Sequence, residues 1–294
     1  MIFKDIDSKD KEINTLKLLY KQSKSEKQKQ LILKDLKTLE NGYKAEKDNA
    51  YYLDFAFKDH KRAVLLHDIR LEYNGLSAQF DHILITPSSI IVLESKSFTY
   101  KGILTINNDT SLTINYGKYT KTYPSPVEQN KRHLQVLKQF INENIELPNR
   151  IKLLGGPDYE QKVLIHPNTN ITNTNLPEYF VRSDTFASER IKEIDNLSAS
   201  SILLKATKMI TSDIATTIAR KLLTAHKPIE FDYTKKYKIA KEKETITTEQ
   251  ICPRCKEGKL LKRVRKNGNN TSKYKSNEFL GCSKFPKCRY TQEL

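Results

Sequence analysis

The chain has 294 residues, 37% of them hydrophobic and 29% charged, enough for one large folded unit and a small one. Lys and Arg outnumber Asp and Glu by 51 to 35, and a net charge of +16 favours polyanions, nucleic acid first, over small neutral substrates. No apolar run approaches the ~18 residues of a membrane span, and Met1-Ile2-Phe3-Lys4-Asp5 lacks the apolar stretch of a secretory signal. The expectation is a cytoplasmic protein with no membrane span.

Residues 1–40 are predicted to form a helical arm. Ile13, Leu16, Leu19 and Tyr20, then Leu31, Leu33, Leu36 and Leu39, recur at helical spacing among Lys, Gln and Asp. With ten basic and seven acidic side chains the arm is nearly neutral, which suits self-association or a protein partner better than nucleic acid. Asn41-Gly42 interrupts the pattern, and a second helix is predicted from Lys44 to about Phe57. Strands are predicted over 62–71, 80–85 and 89–94, the last two joined by the turn Thr86-Pro87-Ser88. Residues 101–116 read as a further hairpin, and Pro126 opens a helix running to about Ile145. Later strands are predicted over 161–166 and 179–182, and helices over 184–195 and 198–225. This alternation is α/β (α+β), with a central sheet flanked by helices. Residues 235–250 read as a basic linker, and residues 235–294 together hold 17 basic and 6 acidic side chains.

The chemistry-bearing stretch is Gln79-Phe80-Asp81 with Glu94-Ser95-Lys96. In a strand, residues i and i+2 share a face, so Glu94 and Lys96 project together while Ser95 points the other way. The apolar run Ile90-Ile91-Val92-Leu93 marks that strand as central and buried. A hairpin through Pro87 would set Asp81 beside Glu94, placing two carboxylates and an ammonium at one end of the sheet. Charges so buried need partners or a metal. Two carboxylates, water and a phosphate oxygen make a hard-oxygen donor set suited to Mg²⁺ or Mn²⁺. Lys96 would orient the attacking water or offset charge on the transition state, and the chemistry would be phosphodiester hydrolysis. On an exposed edge strand the same residues would be an ion pair and nothing more. His82, next to Asp81, should point to the opposite face and serve the structure.

The order of motifs from about 40 to 145 resembles the NERD (nuclease-related) domain, a branch of the PD-(D/E)xK restriction-endonuclease-like superfamily. The matching residues are Gly42-Tyr43-Lys44-Ala45-Glu46, Gln79-Phe80-Asp81-His82, Val92-Leu93-Glu94-Ser95-Lys96, Gly102 and Pro126-Val127-Glu128-Gln129. The resemblance implies a restriction-endonuclease-like mixed sheet, Asp81 and Glu94 as metal ligands and Lys96 as the catalytic lysine. It also implies Glu46 as a further acidic member reaching in from a helix, and Gln129 nearby. Phe80 departs from the superfamily pattern, which has Pro before the aspartate, but that position is one of packing.

All four cysteines lie near the C-terminus, as Cys252-Pro253-Arg254-Cys255 and Cys282-Ser283-Lys284-Phe285-Pro286-Lys287-Cys288. Four thiolates in one short basic module suit a tetrahedral structural zinc, which would supply most of the module's stability. The surrounding Gly258-Lys259-Leu260, Arg263, Phe279-Leu280-Gly281 and Tyr290 resemble the topoisomerase-type C4 zinc finger, which implies a DNA-binding ribbon, often for single strands. Residues 266–277 read as its tip. Tyr274 and Tyr290, set among Lys and Arg, suit base stacking, whereas Phe279 and Phe285 read as packing around the metal.

The organisation expected is therefore an arm over 1–40, a nuclease-like domain over 41–234, a linker over 235–250 and a zinc ribbon over 251–294. The expected function is a Mg²⁺- or Mn²⁺-dependent nuclease acting on single- or double-stranded DNA. The alternatives are a non-catalytic DNA-binding adaptor with a degenerate core, or a nuclease active only with a protein partner.

Overall fold

Strands that are apolar on both faces demand a cover on each side, and this requirement organises the first of two units. The computed structural model describes residues 1–96, 102–197, 207–229, 231–238, 247–264 and 278–293, divided into units Met1–Tyr237 and Lys238–Leu294. The first unit holds a six-stranded mixed sheet in the order β1 (Ile2–Lys4), β2 (Val64–Tyr73), β3 (Leu76–Ile85), β4 (Ile90–Ser95), β8 (Tyr159–Ile165) and β9 (Phe180–Arg182). Strands β2, β3 and β4 are antiparallel neighbours, while β1, β8 and β9 each pair in parallel.

Alternation along the strands divides the core in two. Leu65, Leu84, Ile91 and Leu93 face α2 (Glu26–Phe57) and α5 (Ser183–Asp195), meeting Leu53, Phe57, Phe186 and Ile194. Leu66, Ile83, Ile85, Ile90 and Val92 face α3 (Pro126–Asn144) and α6 (Ser212–Ala225), meeting Leu137, Ile141, Ile218 and Leu222. Each side chain so buried contributes about 1.5–3 kcal/mol. Helix α3 opens with Pro126 at its first turn and with the Ser125 hydroxyl accepting from the Glu128 N–H at 3.1 Å.

Residues 1–40 hold β1, α1 (Asp10–Gln22) and the opening half of α2. Strand β1 is the edge of the main sheet, and α1 buries Leu16 and Leu19 as it packs on α2. The break predicted at Asn41-Gly42 does not occur, because α2 runs unbroken for 32 residues. A mid-helix glycine costs only about 1 kcal/mol relative to alanine. Burial of Ile32 and Leu36 before it and of Leu53 and Phe57 after it outweighs that cost.

Strands β2 and β3 are joined by Asn74 and Gly75, both at positive φ, the two-residue turn that suits the twist of a hairpin. The hairpin predicted over 101–116 gains a third strand, giving the antiparallel meander β5 (Ile103–Ile106), β6 (Leu112–Asn115) and β7 (Thr120–Tyr123). The unit is completed by α4 (Asn149–Lys152) and α7 (Tyr233–Tyr237). Of the helix predicted over 198–225, α6 is its C-terminal part, and residues 198–206 lie outside the described residues. Of the predicted linker, residues 239–246 lie outside them as well. Among the described residues no helix is long and apolar enough to cross a membrane.

The second unit is a four-stranded antiparallel sheet, β10 (Thr247–Ile251), β11 (Lys259–Val264), β12 (Glu278–Cys282) and β13 (Thr291–Glu293). Leu260, Leu280 and the cysteines form its core, with Tyr290 packed against them. Phe285 does not pack there as expected. It is 57% exposed, with the Arg263 guanidinium 5.7 Å from its ring, because Leu260 and Leu280 already fill the small core. The tip and Tyr274 lie outside the described residues.

Candidate active site

The sheet delivers its polar residues at one end. On β4, Glu94 is buried on the α3 face and Lys96 follows it, while Ser95 turns to the α2 face. The Lys96 ammonium donates to Glu94 Oε1 at 2.5 Å and to Gln129 Oε1 at 3.1 Å. Gln129 lies in the first turn of α3, where Ser125 and Pro126 place it. The β3–β4 ladder ends at His82↔Leu93, which makes Asp81 and Glu94 the next opposed pair. Asp81 Oδ2 accepts the Ser95 backbone N–H at 2.7 Å. Phe80, the departure from the superfamily pattern, is fully buried.

A local irregularity aims two carboxylates at this end of the sheet. The β2–β3 register runs from Val64↔Ile85 to Tyr73↔Leu76 and omits one position, Asp68 opposite Asp81. Asp68 has φ +49°, a left-handed backbone that is uncommon outside glycine. Leu66 and Ile83 before this point, and Ile69 and Phe80 after it, all face the same core, so both strands change phase here. Buried Asp68 accepts from Lys9 at 2.8 Å and from Gln79 Nε2 at 3.1 Å.

Glu46 reaches in from the middle of α2. Together Glu46, Asp81, Glu94, Lys96 and Gln129 line one cavity of about 570 Å³. Burial first, then the Asp68 carboxylate, push Glu46 up to about 7. Asp81 is held well above the usual carboxylate range by burial, then by Glu94 and Glu46. Burial also raises Glu94, against the opposing pull of Lys96 and Gln129. Crowded carboxylates with hard oxygen donors are suited to a divalent cation, which would let them ionise together.

Behind the site, on the α2 face, runs a chain of buried polar contacts. Asp54 Oδ1 lies 2.8 Å from His67 Nε2, and His67 Nδ1 lies 2.6 Å from His82 Nδ1. His82 Nε2 lies 2.8 Å from Ser95 Oγ, which also accepts from Asn49 Nδ2 at 3.1 Å. His82 thus supports β4 from the face opposite Glu94. Sequence reasoning missed Lys9, Asp54, His67 and Asp68. A signal for two of them was present, since His67-Asp68 is a polar pair inside an otherwise apolar strand.

In the second unit the four cysteine sulfurs lie within 4.8 Å of one another and could hold a metal ion. Cys252 and Cys288 are 3.8 Å apart, and Cys255 and Cys282 are 3.6 Å apart, too far for disulfides. Backbone N–H groups of Glu257 and Gly258 pull the Cys255 thiol down to about 6, which favours the thiolate.

Residues 41–165 match the model of the nuclease-related domain family, NERD. The matched region holds Glu46, Asp81, Glu94, Lys96 and Gln129 and points to nuclease-type chemistry on nucleic acid. The thiol cluster lies beyond it. No curated protein and no solved structure matches the chain.

Proposed function

We propose that this protein is a metal-dependent nuclease that hydrolyses phosphodiester bonds in DNA and that its thiol cluster is a zinc ribbon that holds the nucleic acid. The observation that carries the reading is the meeting of Asp81, Glu94, Glu46 and Lys96 in one cavity within the nuclease-related region. Asp81 and Glu94 would hold Mg²⁺ or Mn²⁺. Bound there, the ion supplies Lewis acidity toward a phosphoryl oxygen and lowers the pKa of water. Lys96, tethered by Glu94 and Gln129, presents a fixed positive charge where the phosphate gains negative charge. Glu46, on the same cavity, would take a proton from the attacking water.

Zinc fits the thiols because a tetrahedron with Zn–S bonds of about 2.3 Å has sulfurs about 3.8 Å apart, matching the separations of 3.6 and 3.8 Å. Reduced metal-binding cysteines also suit the cytoplasm. The test is cleavage of linear, circular and single-stranded DNA with Mg²⁺ or Mn²⁺, wild type beside Lys96→Ala and Glu94→Gln. Metal-dependent cutting that falls about 100-fold or more in either variant is expected. Salt-sensitive binding without cutting under any metal would replace the enzyme with a binding protein.

A further inference from the structure

One wall of the cavity comes from the β5–β6–β7 meander. Its register pairs Ile114 with Lys121 and Leu112 with Tyr123, so these four side chains share one face. With Tyr116 they line the same cavity as Glu46, Asp81, Glu94 and Lys96. We propose that Tyr116, Lys121 and Tyr123 form a subsite for one unpaired DNA nucleotide, whose base stacks on a tyrosine ring while its phosphate lies toward the carboxylate cluster. This deepens the nuclease reading and rests on it.

Three observations carry the assignment. The Lys121 ammonium sits over the Tyr123 ring, 4.4 Å from its centroid, so a cation and an aromatic ring stand together on this wall, and an incoming base would take the place of the ammonium on the ring. That pairing is what single-strand grooves use, because every base has a π-face and every nucleotide a phosphate. Second, Tyr116 stacks on Tyr119 with centroids 4.9 Å apart, which adds a second ring to the aromatic surface. Third, the cavity volume of about 570 Å³ lies in the range of small-ligand pockets, about 300–1,000 Å³.

The same chemistry disfavours intact paired DNA. Inside a duplex both faces of a base are covered by its neighbours, so a side chain can stack only on a base that is unpaired or turned out of the helix. The enzyme would therefore act on single strands, frayed ends or gaps in preference to intact duplex.

Photo-cross-linking tests this without requiring turnover. A single-stranded oligonucleotide carrying 5-iododeoxyuridine is irradiated with full-length, zinc-loaded protein in Ca²⁺, and the adducts are mapped by mass spectrometry. The expected adducts fall on Tyr116 or Tyr123, at a yield about fivefold or more above that of the same sequence in blunt duplex. They are lost in Tyr123→Leu and weakened in Lys121→Glu, whose exposed side chain makes unfolding an inadequate explanation. Adducts confined to residues 251–293, or equal for duplex and single strand, would overturn the subsite. So would metal-dependent cleavage that is unchanged in both variants, a result that leaves the nuclease standing. Adducts on Tyr116 or Tyr123 with no cleavage under any metal would retain the subsite and remove the nuclease.

Discussion

His67 and His82 meet through their Nδ1 atoms, 2.6 Å apart, with both rings buried. One proton must lie between them, and the neighbours decide whose it is. Asp54 accepts, so His67 carries a proton on Nε2, and when both rings are neutral it accepts at Nδ1. His82 then donates from Nδ1 and accepts at Nε2 from the Ser95 hydroxyl, which accepts in turn from Asn49. A single neutral arrangement satisfies all four contacts. Burial first, with His67 beside it, holds His82 well below the ordinary histidine range, which keeps the His82 ring neutral.

The chain should therefore be strong in its middle and weak at its solvent end. His82→Leu deprives both His67 Nδ1 and the Ser95 hydroxyl of a buried partner, and each such loss costs about 1–3 kcal/mol. Asp54, with 37% of its side chain exposed, can be replaced there by water, so Asp54→Asn should cost about 1 kcal/mol or less. Urea denaturation of the two variants beside wild type measures this. Equal losses would show that the five groups do not form one chain.

The crowded carboxylates predict how stability depends on pH. Glu46 is raised from 4.5 to about 7 in the folded protein, and Asp81 and Glu94 are raised as well. The folded state therefore binds protons that the unfolded chain has already released. Wherever that holds, stability falls as pH rises. For Glu46 the favourable contribution is present below about 4.5 and is lost as pH climbs through about 7. Buried His82, held below the ordinary histidine range, acts in the opposite sense over the same interval, so the measure is a difference. Between about pH 5 and about pH 8 in magnesium-free buffer, Glu46→Gln should lose less melting temperature than wild type. Mn²⁺ should reverse part of that loss. Asp81→Asn should raise the melting temperature at the higher pH, remove the response to Mn²⁺ and abolish cleavage. An equal change with pH in wild type and Glu46→Gln would contradict the assignment.

Gly258 is set by the cysteines around it. A Cβ at this position would lie 2.5 Å from the Cys282 sulfur and 3.4 Å from that of Cys255. Its own N–H donates to Cys255 at 3.3 Å. Gly258→Ala should therefore displace a ligand and reduce bound zinc below one per chain, while the first unit keeps its melting transition. Elemental analysis and the rate of zinc release to a colorimetric chelator give the answer. Full retention of zinc would mean that the thiols are not the ligands.

What was legible in the sequence was local. Runs such as Ile90-Ile91-Val92-Leu93 can be satisfied only inside a covered sheet, and the two-residue period put Glu94 and Lys96 on one side without reference to any other segment. The cysteine spacing is local in the same sense, since each pair closes over a few residues. Gln129 and Glu46 entered through resemblance to a family, because a helix carboxylate or amide has no periodic signature of its own.

Contacts across long sequence separations were decided by the tertiary structure. Lys9 and Asp68 are 59 residues apart and meet only when α1 packs beside the sheet, while Asp68 and Asp81 turn together because two paired strands change phase at one position. The His67–His82 contact depends on that same pairing. The unbroken α2 and the exposed Phe285 were settled by competition, core burial overriding a weak local preference in one case and a filled core leaving no room in the other. Periodicity reports how a residue relates to its own backbone. Which charges share a low-dielectric pocket, and therefore which of them shift their protons, depends on the packing of the whole unit.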